Sequence, residues 1–142
     1  MDRMVPIEGN LVTVGGEIGR RIDLTVRENF LALDVDTDFL RLFRHRRPRS
    51  KVLQWERYVG LGQLIDAGVL FAEYTADPEV VGRKEYLVQE SIKTQSTAGY
   101  IGVFEEEPDG SQLWYEYCFH DAVHIVLGLV HDFQRFGKQD SL

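Results

Sequence analysis

Apolar side chains recur at helical spacing in four stretches of this chain. The first stretch carries four of them at intervals of four residues: Ile18, Ile22, Val26 and Phe30. The same periodicity predicts further helices over residues 55–74, 77–95 and 113–136. The pattern therefore predicts a mainly α-helical protein.

The second and third predicted helices are separated by a very short turn. Asp77 is suited to cap the start of the third helix, and Pro78 fits its first helical position. A turn this short places two helices antiparallel, so residues 55–95 are predicted to form a helical hairpin. The last helix ends at Gly137, a residue type that commonly ends helices, and no partner helix follows it. We therefore expect this chain to be the front part of a longer domain.

Segments outside the helices carry weaker patterns. Residues 11–14 predict a short strand, and the alternating acids Asp34, Asp36 and Asp38 predict a loop. Calcium binding is disfavoured at these acids, because the glycine and the distal glutamate of a calcium-binding loop do not follow.

The basic run over residues 41–51 predicts a solvated loop covered by acidic neighbours. Gly99 is expected to adopt a positive φ in a turn.

Composition and charge limit the classes to which the protein can belong. The chain has 142 residues, 44% of them hydrophobic and 27% charged, which predicts one globular domain over residues 1–142. Its net charge of −7 argues against nucleic acid and against an anionic membrane as partners, because both attract a positive surface. The single cysteine, Cys118, excludes an internal disulfide. Neither a signal peptide nor a membrane-spanning stretch is recognisable, so we expect a cytoplasmic protein.

Three of the four histidines lie on the last predicted helix. At about 100° per residue, His124 and His131 lie within roughly 40° of His120, so all three share one face. His120 and His124 have a spacing that can hold a metal ion, but His131 is about 16 Å from His120 along the axis. A histidine-lined cleft wall that binds a polar ligand is favoured over a metal site, and a purely structural role is the alternative.

Aromatic residues with polar tips stand beside these histidines and suit the apolar face of a sugar ring as well as a protein core. The predicted substrate-binding residues are His124, His120, Trp55, Tyr58 and Glu116. A carboxylate pair for glycoside hydrolysis can be drawn from Glu56, Asp66 and Glu116, although their separation is not set by the sequence. No convincing base partner is recognisable for Cys118 or for any serine.

Four motifs occur in order along the chain. The first is Gly15-Gly16-Glu17-Ile18-Gly19-Arg20-Arg21-Ile22, and the second is the helix with Gly62-Gln63-Leu64 that ends at Tyr74-Thr75-Ala76-Asp77. The third and most specific joins Gln95 to Gly99-Tyr100-Ile101-Gly102-Val103-Phe104, and the fourth combines Tyr117-Cys118, His124, Phe133 and Gly137. Over residues 15–137 the chain thereby resembles the bacterial β-L-arabinofuranosidases of glycoside hydrolase family 127 and its relatives. Gln63, Leu64 and Asp66 depart from the family pattern, which leaves the substrate open.

This resemblance implies a fold, a reaction, and a role for this chain within a larger protein. The fold is an (α/α)6 barrel of helical hairpins with a sugar cleft at one end. The reaction is removal of a terminal furanose sugar with retention, by a zinc-bound cysteine and a glutamate acid/base that lie beyond the end of this chain. Cys118 does not match the nucleophile motif. The chain is thus expected to contribute cleft-wall residues, with carbohydrate and the remainder of the barrel as partners, and to hold no catalytic residue or metal ligand.

Three functional interpretations follow. The favoured one is an incomplete glycosidase-like barrel that is inactive alone and exposes apolar surface where further hairpins would pack. The alternative is a free-standing helical binding or interaction module without catalysis. A third interpretation makes the chain itself a hydrolase, which requires an acid/base such as Glu116 and a nucleophile from within it.

Overall fold

The computed structural model describes Ile7, residues 9–115 and residues 117–141. These residues form the helices α1 (Gly16–Thr25), α2 (Arg41–Arg44), α3 (Leu61–Thr75), α4 (Pro78–Lys93) and α5 (Cys118–Phe136). Wide π-helical turns continue α1 through Val26–Phe30 and precede α2 over Asp36–Leu40. In the described part of the chain, no helix is long and apolar enough to cross a membrane. The predicted mainly α-helical class is confirmed.

The central helix of the fold is α3, which packs against both α4 and α5. Its deeply buried residues recur at helical spacing: Leu61, Ile65, Val69 and Ala72. Only Ala76 and Asp77 separate α3 from α4, and the Asp77 carboxylate accepts the backbone N–H of Glu79 at 2.8 Å. The predicted helical hairpin and its Asp77 cap are confirmed.

The backbones of α3 and α5 approach each other closely at two glycines. A Cβ atom added to Gly62 of α3 would stand 2.3 Å from the backbone of His124 and Ile125. One added to Gly128 of α5 would stand 2.9 Å from the Ile65 side chain. Both distances are shorter than packed atoms allow, so the contact between α3 and α5 depends on the absence of side chains at these positions.

This contact decides which face of α5 is buried. The residues turned inward are Cys118, Asp121, Ile125, Gly128 and Asp132. The apolar residues whose helical spacing predicted this helix form a stripe that includes Val123, Val126 and Leu127, and these three are exposed instead. The stripe therefore does not lie against the core, because the glycine contact rotates the helix toward its small and polar residues.

Two local predictions are wrong. Residues 11–14 form no strand: a 3-10 turn at Gly9–Leu11 leads into an extended segment whose Val14 N–H donates to the Tyr74 hydroxyl at 3.1 Å. The acidic segment is helical rather than a loop. Its Asp34 carboxylate accepts the backbone N–H of Thr37 at 3.1 Å and so caps the start of the helix. Negative charge is favourable at a helix start.

Two helices begin later than the periodicity predicts. The helix expected from residue 55 begins at Leu61, after Gly60 with a φ of 76°, and the helix expected from residue 113 begins at Cys118, after Tyr117 with a φ of 60°. Left-handed residues interrupt a right-handed helix. Residues 54–56 and 111–114 form only short 3-10 turns.

The basic run is helical in part, and acidic neighbours cover it as predicted. Arg44 ends α2 and forms ion pairs with Asp36 and Glu90, at 2.5 and 2.6 Å. Arg47 pairs with Glu56 at 2.6 Å. The guanidinium of Arg46 donates to the backbone carbonyls of the turn that contains Gly99, whose φ of 88° confirms the predicted conformation.

Candidate functional site

Four rings form a contiguous cluster at the start of α5. The Tyr58 ring meets the His120 ring edge-on with 5.1 Å between their centres, and the His120 and His124 rings are 4.5 Å apart. The Tyr117 ring lies 5.8 Å from that of Tyr58. We refer to Tyr58, Tyr117, His120 and His124 as the ring cluster. The structure thus brings together three of the residues that the sequence predicted as substrate-binding: Tyr58, His120 and His124.

Asp121 holds the ring cluster in place. This carboxylate is buried and accepts hydrogen bonds from the backbone N–H groups of Val59 and Gly60. Gly60 supplies the left-handed turn that brings Tyr58 over the start of α5. The backbone of His124 also lies against Gly62 of α3. This contact fixes the position of the His124 imidazole relative to α3.

Two buried oxygen atoms beside the ring cluster have no hydrogen-bond partner among the described residues. They are Asp121 Oδ1 and Gln63 Oε1, and the amide nitrogen of Gln63 donates to the Tyr58 hydroxyl. Burial raises the pKa of the Asp121 carboxyl to about 6, against the lowering effect of its two backbone hydrogen bonds. The aromatic faces of the ring cluster therefore lie beside two buried acceptors that solvent does not reach.

Neither Asp121 nor Gln63 was predicted as a site residue. A signal for Asp121 was nevertheless present in the sequence, because it stands one turn before Ile125 on what becomes the buried face of α5. A carboxylate on a buried helix face is unfavourable unless a specific partner holds it. Gln63 carried no comparable signal beyond its departure from the family motif.

The third histidine of α5 has a different partner. His131 Nδ1 lies 2.6 Å from Asp66 Oδ1 on α3, and both side chains are half-buried. With its proton on Nδ1, His131 donates to Asp66 and keeps Nε2 as an acceptor. The three histidines share one face of α5, as predicted, but only His120 and His124 belong to the ring cluster.

The remaining predicted residues do not join the ring cluster. Trp55 is 77% exposed in the 3-10 turn at Gln54–Glu56, and among the described residues it makes no ring contact. The Glu56 carboxylate is engaged by Arg47 and by the backbone N–H of Leu53, and these contacts lower its pKa despite partial burial. Glu116 lies outside the described residues. Asp66 pairs with His131 and Glu56 with Arg47, so these two carboxylates have different partners.

The chemistry of Cys118 is that of a buried thiol. Its Sγ atom lies 3.3 Å from the Tyr100 hydroxyl, and burial raises the pKa of the thiol. In the described part of the chain, no three histidine, cysteine, aspartate or glutamate side chains are grouped so that they could hold a metal ion.

Comparison with protein-family models, curated proteins and solved structures finds no match to this chain.

Proposed function

We propose that this chain is a carbohydrate-binding, non-catalytic part of a glycoside-hydrolase-like helical protein, with the ring cluster as its sugar-binding wall. The observation that carries the proposal is the contiguous surface of Tyr58, His120 and His124. Aromatic faces pack against the C–H groups of a sugar ring, and imidazole nitrogens donate to or accept from its hydroxyl groups.

The wider architecture belongs to the same proposal. The resemblance to the β-L-arabinofuranosidase family implies an (α/α)6 barrel, and the α3–α4 hairpin is the unit from which such a barrel is assembled. Helical hairpins in this arrangement carry their ligand residues at the helix ends on one side. The ring cluster lies at the start of both α3 and α5, which is consistent with a cleft at that end.

The ligand class follows from the resemblance, and its affinity follows from its size. L-Arabinofuranose is the sugar of the family that the chain resembles, and its methyl glycoside is a suitable small probe. At about 0.3 kcal/mol per non-hydrogen atom, a ligand of roughly eleven such atoms binds with a Kd of a few millimolar. A wall that contacts one face of the sugar is not expected to bind more tightly.

The test is a titration of the chain with methyl L-arabinofuranoside, followed by NMR of the histidine and tyrosine ring protons. Saturable shifts are expected for His120, His124 and Tyr58, because these rings would contact the sugar. His120→Ala is expected to raise the Kd at least about threefold, since it removes the central ring of the cluster.

A matched control is available on the same chain. His45 is exposed and lies outside α5, so His45→Ala is expected to leave the Kd unchanged. The proposal fails if no ring of the cluster shifts at sugar concentrations well above the expected Kd. It fails equally if His45→Ala and His120→Ala weaken binding to the same extent.

A further inference from the structure

The face of α5 that carries the histidines continues beyond the ring cluster. Around the helix, four of its residues lie within about 60° of one another: His120, His124, Leu127 and His131. Leu127 is 41% exposed, and the side chain of His131 is 34% exposed. His131 lies about 16 Å from His120 along the helix axis. The exposed stripe is therefore much longer than the ring cluster at its start.

The helix α3 runs beside this stripe in the same direction. Gly62 contacts the backbone of His124, and farther along both helices Asp66 Oδ1 lies 2.6 Å from His131 Nδ1. Leu70 follows Asp66 after one more helical turn and is 47% exposed. We refer to the surface beyond the ring cluster as the α3–α5 seam, which consists of Asp66, Leu70, Leu127 and His131.

The seam offers the same two kinds of contact as the ring cluster. With its proton on Nδ1, His131 donates to Asp66 and keeps Nε2 as an acceptor for a ligand hydroxyl. The Asp66 side chain is 28% exposed, and its carboxylate has the capacity to accept a second hydroxyl. Leu127 and Leu70 add apolar surface one helical turn before and after this polar pair. A sugar has apolar ring faces and polar edges, so the seam matches it chemically.

The length of the surface indicates a chain of sugars. The ring centres of the cluster are 4.5 to 5.8 Å apart, so the ring cluster alone is about as wide as one sugar ring. The stripe from His120 to His131 is about 16 Å long, or about three such widths. A single sugar on the ring cluster leaves the seam uncovered, whereas a linear chain that begins there reaches His131.

We propose that the ligand of this surface is a linear oligosaccharide of about three units, with one unit on the ring cluster and the next units on the α3–α5 seam. His131 and Asp66 bind hydroxyl groups of the farther units, and Leu70 and Leu127 contact their ring faces. This inference rests on the proposed sugar binding by the ring cluster. It adds the class of ligand: a chain bound along its length rather than one sugar bound alone.

The test compares two ligands of the 142-residue chain, methyl L-arabinofuranoside and a linear trimer of L-arabinofuranose. The trimer is expected to bind at least about tenfold more tightly, because more of its atoms contact the protein. Three repeated units by themselves raise the apparent affinity only about threefold. In NMR spectra, the His120 ring protons should shift with both ligands and the His131 ring protons with the trimer alone.

The outcomes separate the two proposals. If the trimer gains no more than about threefold, or if it binds without shifting the His131 ring protons, the seam is not part of the site, while sugar binding by the ring cluster stands. If neither ligand binds, the proposed function fails and this inference fails with it.

Variants locate the farther units. His131→Ala should raise the Kd of the trimer at least about threefold and leave that of the methyl glycoside unchanged, which also shows that the variant is folded. Leu127→Ser should act in the same way. Val126→Ser is its matched control, because Val126 is 59% exposed on the same helix but is turned about 100° from Leu127. The proposal is wrong if neither seam variant weakens trimer binding, or if Val126→Ser weakens it as much as Leu127→Ser.

Discussion

Asp121 is the residue on which most of the candidate site depends. Its carboxylate is 2% exposed and holds the backbone of Val59 and Gly60, which in turn positions Tyr58 over His120. One of its oxygens has no partner among the described residues. A buried carboxyl with an unused oxygen binds a proton more tightly than a solvated one, because burial penalises the charged form.

We predict that this carboxyl makes the stability of the protein fall with rising pH. Its pKa is about 6 in the folded protein and near 3.8 in the unfolded chain, so the folded state binds the proton more tightly. The stabilisation is fully present below pH 3.8 and is lost as the pH rises through 6. Two pKa units correspond to about 3 kcal/mol, which sets the upper limit of the effect.

Asp121→Asn tests this prediction, because the amide resembles the neutral acid at every pH. Urea unfolding of both proteins at pH 4 and pH 7 is the measurement. Relative to the unmodified protein, the variant is expected to gain stability between pH 4 and pH 7. A difference in unfolding free energy that is the same at both pH values would show that Asp121 does not titrate in this range.

At the scale of the elements, the fold rests on the close contact between α3 and α5. Gly62 and Gly128 let the two backbones approach, and this approach orients the ring cluster and leaves Val123, Val126 and Leu127 exposed. Helices that meet at small residues lose their fit when a side chain is added, because the surrounding backbone has no room to retreat.

We predict that Gly62→Ala separates these helices. The added Cβ atom would stand 2.3 Å from backbone atoms of His124 and Ile125, so the unfolding free energy should fall by about 1–3 kcal/mol or more. Thermal or urea unfolding measures this loss. Gly82→Ala is the matched control within α4: its Cβ meets no atom within 4 Å, and the substitution should stabilise the protein by about 0.4–1 kcal/mol. Equal effects of the two changes would contradict the assigned contact.

At the scale of the whole molecule, a buried ion pair ties three parts of the chain together. Lys84 of α4 and Asp132 of α5 are both buried, with 2.6 Å between Nζ and Oδ1. Ser141 donates its hydroxyl hydrogen to the second carboxylate oxygen at 2.7 Å. The Lys84 ammonium also lies 4.1 Å from the centre of the Phe136 ring. Both charges are therefore compensated inside the protein, as buried charges must be.

We predict that breaking this pair destabilises the whole molecule. Lys84→Met leaves the Asp132 carboxylate buried without its cation and should lower the unfolding free energy by about 3–5 kcal/mol. The double variant Lys84→Met/Asp132→Leu should recover most of that loss, because no unpaired charge remains. Lys93→Met, at the exposed pair with Glu90, is the control and should cost less than about 1 kcal/mol. A double variant no more stable than Lys84→Met would contradict this account.

The local features followed from the sequence because they depend on neighbouring residues alone. The cap at Asp77, the hairpin after Thr75, the positive φ of Gly99 and the shared face of the three histidines are set by side-chain size and the 3.6-residue turn of the helix. The incorrect strand at residues 11–14 and the incorrect loop at residues 34–38 show the limit of such patterns. A contact with a residue distant in the chain, Tyr74, decided the conformation of residues 11–14. A helix cap that the pattern did not reveal decided that of residues 34–38.

Tertiary structure decided where α3 and α5 begin and which way α5 faces. Asp121 holds Val59 and Gly60 outside the helix, and no periodicity reveals that contact across more than 60 residues. The exposure of Val123, Val126 and Leu127 likewise depends on the meeting of Gly62 and Gly128. An amphipathic sequence indicates that a helix has an apolar stripe, but close packing at small residues determines whether that stripe is buried or exposed.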